Sequence, residues 1–315
     1  MPRCAAIDDP AGGEAILLLG GPTAAGKGAV SRALADLVDA ELVLCDSAKV
    51  YRDLGVGANK PTPEQRRRHR YHLLDVCGPE ERFSAGEYAR LAGRALAEIR
   101  RRGRLPVVVG GTLLFAAALF DGLCPAPPTD PTVAKELERL SEAELRGELQ
   151  RVDPAAAARI TPHDRQRLVR ALAVWRQSGR SLSDWRAATP VPDHGTPVAR
   201  FALLRPRAEL YERINERTRR MFAGGLLEET AALLERGLTP DSPALGVIGY
   251  AQAATHLLGR LDYEEAVELT ARATRRLAKR QLSWLRSDDR FHRLTAATGE
   301  TPAALARRLL AGLSS

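Results

Sequence analysis

Short apolar runs alternate with stretches of helical spacing through the first 123 residues. The runs at residues 15–20, 41–45 and 106–109 end at glycine or aspartate, which predicts three buried strands. Between and after them, apolar residues at helical spacing predict a helix that ends near Val38 and further helices over 85–102 and 112–123. Short strands that alternate with helices favour a parallel sheet covered by helices.

A proline-rich stretch then breaks this alternation. Residues 124–131 contain four prolines, and Ala, Leu, Arg and Glu recur at helical spacing from there to Trp185. Strand-like alternation returns at 198–204, followed by long helical segments at 208–236 and 262–285. We therefore expect an α/β core built from residues 1–123 and 198–315, with an all-helical insertion at 124–197.

Length and composition allow one large core with a smaller satellite, since the chain has 315 residues and is 44% hydrophobic. Nothing approaches the roughly 18 uninterrupted apolar residues of a membrane span. Asp8, Asp9 and Glu14 lie where a secretory signal needs an apolar segment, so we expect a cytoplasmic protein without membrane contact. The four cysteines form no CxxC pair, which favours reduced thiols over disulfides or zinc.

Positive charge accumulates in the second part of the chain. Residues 1–130 carry 17 basic and 16 acidic side chains, and the remaining residues carry 30 and 23, for a net charge of +8. An excess of this kind suits a polyanionic partner. Lysines are scarce, five among 47 basic residues, so each is a candidate for a position that needs a compact ammonium.

The first motif with chemistry is G-P-T-A-A-G-K at residues 21–27, between a predicted strand and a predicted helix. It matches the G-x-x-x-x-G-K core of a P-loop, in which backbone N–H groups, a helix N-terminus and the lysine bind phosphate oxygens. The alternative is a glycine turn that begins a helix. The predicted diphosphate site consists of Gly21, Pro22, Thr23, Ala24, Ala25, Gly26, Lys27 and Gly28. Gly28 replaces the usual Ser or Thr, so this position offers no oxygen to magnesium.

The second motif begins at Asp46, directly after the second predicted strand. A carboxylate beside a P-loop can hold magnesium through water or act as a general base, and the sequence leaves both open. A turn-initiating aspartate is the structural alternative.

Further motifs resemble those of one family, the tRNA dimethylallyltransferases, also called tRNA isopentenyltransferases. The resemblance runs in order from Ile16 to Leu294. The segments that carry it are residues 46–52, 54–62, 71–75, 83–84, 109–112, 153–154, 164–172, 178–180, 213–214, 249–250, 274–281 and 284–286. The implied fold is a P-loop NTPase-like parallel sheet flanked by helices, with the insertion contacting the tRNA anticodon arm.

The resemblance implies transfer of a dimethylallyl group from dimethylallyl diphosphate to N6 of the adenosine 3′ of the anticodon. Asp46 matches the family's general base, Lys27 and Arg213 its diphosphate-binding cations, and Thr23 and Thr112 its positions near the reacting groups. Magnesium is the implied cofactor, with Asp46 as a ligand through water, and the implied state is a monomer. The tRNA-binding residues implied are Asp46, Ser47, Ala48, Lys49, Gln166, Arg167, Arg170, Arg275, Lys279 and Arg280.

Two features keep other interpretations open. Basic residues on a helix are more often a solvated face than a nucleic-acid contact. Ala25, Gly28, Ala48 and Lys49 also depart from the family pattern close to the predicted site. The alternatives are a diverged relative with an altered donor, a tRNA-binding protein without catalysis, and a P-loop small-molecule kinase.

Overall fold

Six parallel strands form one sheet in the computed structural model, which describes residues 15–161 and 163–313. The strands are β1 (Ile16–Gly20), β2 (Ala40–Cys45), β3 (Tyr71–His72), β4 (Leu105–Gly110), β5 (Val198–Leu204) and β6 (His292–Thr295). Their order is β3-β2-β4-β1-β5-β6, with Leu18 of the central strand opposite Val108 on one side and Arg200 on the other. The predicted parallel α/β fold is confirmed, including the return of the chain to the sheet at β5.

Helices account for most of the remaining residues of the sheet-containing unit. They are α1 (Lys27–Ala35), α2 (Pro63–Arg68), α3 (Ala85–Arg101), α4 (Leu113–Phe120), α10 (Arg207–Ala223), α11 (Leu226–Glu235), α12 (Tyr250–Leu257), α13 (Tyr263–Ser287) and α14 (Pro302–Leu313). The expected continuous helix over 208–236 is wrong. It breaks at Gly224 and Gly225, where Gly225 has φ 105°, a conformation that only glycine adopts without strain.

The chain divides into two compact units. One extends to Leu119 and resumes at Asp193, and the other is Phe120–Pro192. The second unit contains α5 (Pro131–Leu137), α6 (Glu142–Val152), α7 (Pro154–Arg159), α8 (Arg165–Ser178) and α9 (Leu182–Ala187). These helices bury their own core, which includes Leu145, Leu168 and Leu172. The unit begins at Phe120 and ends at Pro192, whereas the helical insertion expected from the sequence spans 124–197.

The apolar strand runs explain why the sheet lies inside its unit. Ile16, Leu17 and Leu19 of β1 and Val107 and Val108 of β4 have no exposed surface, as expected for parallel strands covered on both faces. The carboxyl ends of these strands lie at one edge of the sheet, where open α/β sheets bind ligands.

Some expectations concern residues outside the described ranges, namely Cys4, Asp8, Asp9 and Glu14. Within those ranges, Cys45, Cys77 and Cys124 are free thiols. No described helix is both long and apolar enough to cross a membrane.

Candidate active site

The loop between β1 and α1 has the backbone of a phosphate cradle. Ala24 has φ 64° and Gly26 has φ 100°, so successive peptide N–H groups change direction before α1 begins at Lys27. A Cβ at Gly21 would lie 2.6 Å from the carbonyl oxygen of Leu203 in β5. Glycine is therefore required at the position where the loop leaves the sheet.

The Lys27 side chain folds back onto this loop and hydrogen-bonds to its backbone. Its Nζ donates hydrogen bonds of 2.8 Å to the carbonyl oxygens of Gly21 and Pro22. The pKa of Lys27 is lowered to about 7, chiefly by burial; the charges of Lys49 and Arg217 also lower it, and the charge of Asp46 opposes them. An anion that entered the loop would stabilise the charged form of this lysine.

Three arginines from β5–α10 contact the same loop. Arg205 Nε donates to Ala25 O over 2.8 Å, Arg213 Nε donates to Ala24 O over 2.9 Å, and Arg217 Nη2 donates to Thr23 Oγ1 over 2.9 Å. Burial lowers the pKa of Arg217, and its Nε atom is buried without a hydrogen-bond partner in the described part of the chain. The loop is thus surrounded by cations suited to a diphosphate.

The sequence indicated Arg213 but not Arg205 or Arg217. Arg217 lies four positions after Arg213 on α10, so the two side chains share one face of the helix. That spacing is a signal the sequence contained, but it does not say what the face contacts.

Asp46 lies directly after β2, two strands away from the phosphate loop in the sheet. Its Oδ1 accepts a hydrogen bond of 3.0 Å from the N–H of Ala48. The next residue, Ser47, donates its N–H to Thr112 Oγ1 over 3.0 Å, while the Thr112 N–H donates to Cys45 O over 3.2 Å. The ends of β2 and β4 are therefore joined, and Asp46 acts electrostatically on Lys27 across this edge.

The segment after Asp46 is held by its two lysines. Lys49 Nζ donates to Asn59 O over 2.8 Å, and Lys60 Nζ donates to Tyr51 O and to Asp75 Oδ1, each over 2.5 Å. Burial lowers the pKa of Lys49, and the nearby Asp46 opposes this shift. Asp46, Ser47, Ala48 and Lys49 thus belong to one ordered loop beside the phosphate cradle.

The other basic residues have different environments. On α13, Arg275 donates to Asn215 and to Glu268, whereas Lys279 and Arg280 are exposed. In the helical unit, Gln166 and Arg167 are exposed. Arg170 is half-buried, and its Nη1 donates to Pro127 O over 2.6 Å and to Thr129 Oγ1 over 3.0 Å, so its guanidinium organises the start of the insertion.

Metal ligands from the protein are few at this edge. No group of three or more His, Cys, Asp or Glu side chains in the described ranges is placed to hold a metal ion. Asp46 supplies a carboxylate, while Gly28 supplies no oxygen. These residues fit magnesium in the mode in which the ion keeps several waters and takes most of its other oxygens from a substrate phosphate. A Cβ at Gly28 would have Arg32 Nη1 at 3.5 Å, so a serine would fit there.

A parallel sheet whose edge carries a glycine-rich loop beside cations and a strand-end carboxylate defines a P-loop-type enzyme site. Comparison with known proteins is more specific. Residues 49–288 match the model of the family described as IPP transferase. This chain belongs to that family.

Individual relatives cover most of the chain. It is 43% identical over 277 residues to a tRNA dimethylallyltransferase of Geobacter sulfurreducens, covering 87% of this chain and 89% of that protein. It is 46% identical over 298 residues to a tRNA dimethylallyltransferase of Anaeromyxobacter dehalogenans, covering 93% and 98%. The crystal structure of a tRNA isopentenylpyrophosphate transferase from Bacillus halodurans aligns with a TM-score of 0.70 at 31% identity, covering 96% and 97%.

Proposed function

We propose that this protein transfers a dimethylallyl group from dimethylallyl diphosphate to N6 of the adenosine 3′ of the anticodon in tRNA, releasing diphosphate. One observation carries the proposal at the site: a carboxylate, Asp46, is held at the same sheet edge as a loop surrounded by cations. The family match and the names of the relatives support the choice of reaction.

The proposed chemistry gives each group a task. A bond forms between N6 and the allylic carbon while the bond from that carbon to the diphosphate oxygen breaks, and the diphosphate leaves with the electron pair. Asp46 accepts the proton from N6, because a neutral adenine amine is a weak nucleophile. Lys27, Arg213, Arg217 and the loop N–H groups stabilise the negative charge that grows on the leaving oxygens. Thr23 and Thr112 place the loop and the base segment through their hydroxyl groups.

The RNA substrate accounts for the remaining predicted residues. The adenosine must leave the stacked anticodon loop to reach Asp46 and the segment that includes Ser47, Ala48 and Lys49. Phosphates of the anticodon arm bind basic groups on α13 and on the helical unit. The residues proposed for direct contact are Gln166, Arg167, Arg275, Lys279 and Arg280, and Arg170 supports that contact by holding Pro127 and Thr129 of the helical unit.

Three further points belong to the same proposal. Asp46 is the residue that would hold magnesium, through water, and the ion would supply additional charge stabilisation for the leaving diphosphate. The protein acts as a monomer. It acts in the cytoplasm, where its tRNA substrates are found.

The test is the transfer of label from dimethylallyl diphosphate to unmodified tRNA in the presence of magnesium. Asp46→Asn removes the proton acceptor at nearly constant size, and we expect it to abolish labelling. Asp53→Asn is the matched control, because Asp53 is an exposed carboxylate paired with Arg236. Equal loss of label in both variants would contradict the role of Asp46.

Parallel reactions with free adenine nucleotides as acceptor, or with γ-labelled ATP as donor, extend this assay to the alternatives. No label on tRNA, with salt-dependent tRNA binding retained, identifies a binding protein without this chemistry. Label on free adenine nucleotides identifies a prenyltransferase of small substrates. Transfer of the ATP γ-phosphate identifies a kinase.

A further inference from the structure

Gln281 of α13 joins two loops of the candidate active site. Its Oε1 accepts a hydrogen bond of 2.8 Å from the N–H of Thr23, and its Nε2 donates one of 2.8 Å to the carbonyl oxygen of Gly111. The residue is 8% exposed. One side chain from the C-terminal helix therefore bridges the phosphate loop after β1 and the end of β4.

The chemistry of this bridge requires an amide. One partner is a backbone donor and the other a backbone acceptor, so the side chain must offer both an acceptor and a donor at the same length. The approach is close, since a Cβ at Gly111 would lie 2.5 Å from Gln281 Nε2. Gly111 therefore lacks a side chain at the position where the glutamine docks.

One end of the bridge contacts the proposed diphosphate site, and the other contacts the loop that supports the proposed general base. On one side, the hydroxyl of Thr23 accepts from Arg217, within the proposed diphosphate site. On the other side, Gly111 precedes Thr112, whose hydroxyl accepts from the N–H of Ser47, next to Asp46. Gln281 is thus the shared support of the diphosphate loop and the segment that carries the proposed base.

We propose that Gln281 is a positioning residue that sets the separation between the diphosphate loop and the Asp46 segment. The inference rests on the proposed function but assigns a task to a residue outside the reacting groups. Rates of bond formation depend steeply on the placement of the reacting atoms, whereas substrate affinity is spread over many contacts. Loss of the bridge therefore lowers kcat and leaves the KM of each substrate nearly unchanged.

The first test replaces the amide by a side chain of similar length that forms no such bridge. For Gln281→Met we expect kcat to fall about 100-fold, the scale associated with an error of about 1 Å in placement, with both KM values within about threefold. Gln177→Met is the matched control, because Gln177 also accepts from a backbone N–H (Asp130) and donates to a backbone carbonyl (Pro128), but in the helical unit. Its kcat should stay within about twofold of the unaltered protein. A normal kcat for Gln281→Met, or an equal loss in both variants, overturns the proposal.

The second test uses protonation. In Gln281→Glu the new carboxylate still accepts from Thr23, but it places an oxygen against the carbonyl of Gly111 and cannot donate to it. Protonation of that carboxyl restores the missing donor. The ratio of the kcat of Gln281→Glu to that of the unaltered protein should therefore rise as the pH falls from 8.5 to 6. A ratio that does not change with pH overturns the proposal, because a general packing defect has no reason to be relieved by a proton.

Hydrogen exchange at the Thr23 amide separates failure of this proposal from failure of the proposed function. Gln281→Met should speed exchange at Thr23, and Gln177→Met should not. Faster exchange with unchanged turnover overturns the positioning role. If exchange is faster in the variant but the unaltered protein transfers no dimethylallyl group, the proposed function is contradicted and the bridge stands. If exchange is unchanged in the variant, the bridge itself is contradicted.

Discussion

The phenol of Tyr250 donates a hydrogen bond of 2.6 Å to Glu229 Oε2, and together these side chains hold a loop far from them in sequence. The Glu229 carboxylate accepts from the N–H groups of Gly55 and Val56, and the Tyr250 oxygen accepts from the N–H of Gly57. Three consecutive backbone donors thus find partners on α11 and α12. This clamp, Glu229 with Tyr250, supports the loop that contains Lys49 and Lys60.

We expect Tyr250→Phe to raise the KM for tRNA roughly tenfold, the effect of losing about 1.4 kcal/mol of hydrogen bonding, with the KM for dimethylallyl diphosphate unchanged. The reason is that the clamped turn lies next to Asn59, whose carbonyl oxygen holds Lys49 of the proposed tRNA-binding segment. Steady-state kinetics with each substrate varied in turn measures the split. Tyr263→Phe is the control, since that ring is partly exposed and packs edge-on against Phe222. An equal rise of both KM values would contradict a role confined to the tRNA side.

Arg217 should determine affinity for the diphosphate group. Arg217→Gln removes a buried cation and its hydrogen bond to Thr23, so we expect inorganic diphosphate to inhibit at least about tenfold less strongly. Product inhibition measured against the labelled donor gives this number. Arg220→Gln, on the same helix but exposed and paired with Glu216, should change it less than twofold. Equal inhibition constants in both variants would exclude Arg217 from the diphosphate site.

Lys27 should take up a proton when a diphosphate binds. Burial lowers its pKa to about 7, so at pH 8 most molecules of the free protein carry a neutral amine, and a bound polyanion favours the charged form. Calorimetry of diphosphate binding at pH 8 in two buffers with different ionisation enthalpies measures this uptake. The uptake should shrink below pH 7 and should be smaller in Lys27→Met. The same uptake in that variant would assign the proton to another group.

The sign of the stability effect of Lys27 follows from the same pKa. An unfolded chain carries the lysine with its ordinary pKa of 10.5, so between about pH 7 and 10.5 the unfolded state binds the proton that the folded state has released. The free energy of unfolding therefore rises with pH through that window, because the cost of burying Lys27, which is charged in the unfolded chain, is progressively removed.

Exposed basic residues and the half-buried Arg170 should differ in their effect on the salt dependence of tRNA binding. Lys279 and Arg280 are exposed on α13, so replacing both by alanine should lower the slope of log K against log salt by about 1 to 2. Arg170→Ala should instead lower the Tm, because its guanidinium holds Pro127 and Thr129 of the helical unit. Filter binding at several salt concentrations and thermal unfolding measure the two effects. If Arg170→Ala lowered the slope of log K against log salt by about 1, Arg170 would be a direct phosphate contact and this prediction would be wrong.

Glu41 should stabilise the fold in a pH-dependent way. It is fully buried in β2; burial raises its pKa, but hydrogen bonds from Arg102 and His72 outweigh this and lower the pKa to about 2. Its contribution is present above its unfolded pKa of 4.5 and is lost as the pH falls toward 2. Glu41→Gln should therefore lower the free energy of unfolding at pH 7 by about 3 kcal/mol at most, and by less near pH 3.5. Urea unfolding measures this, with the exposed Glu98→Gln as control; a difference independent of pH would contradict it.

Features that depend on neighbouring residues could be predicted from the sequence alone. The order strand, glycine-rich loop, helix at residues 16–35 is a local pattern, and so is the position of Asp46 after β2. Apolar runs flanked by glycine specify buried strands because the backbone and its nearest side chains set this preference. The two-residue strand β3 and the break at Gly225 escaped prediction, because so short a strand has no period and a break depends on what each half packs against.

The side chains that support the site are brought to it by contacts that form only in the folded chain. Arg217, Gln281 and Glu229 bind partners 170 to 258 positions away in the chain, through hydrogen bonds that leave no periodic trace in the sequence. Each looks like an ordinary polar residue on a helix. Its partner is chosen by the packing of α10, α11 and α13, where a buried N–H or carbonyl group must find a hydrogen-bond partner. Such choices emerge when distant segments are brought together, which is why the phosphate loop was predictable and its supports were not.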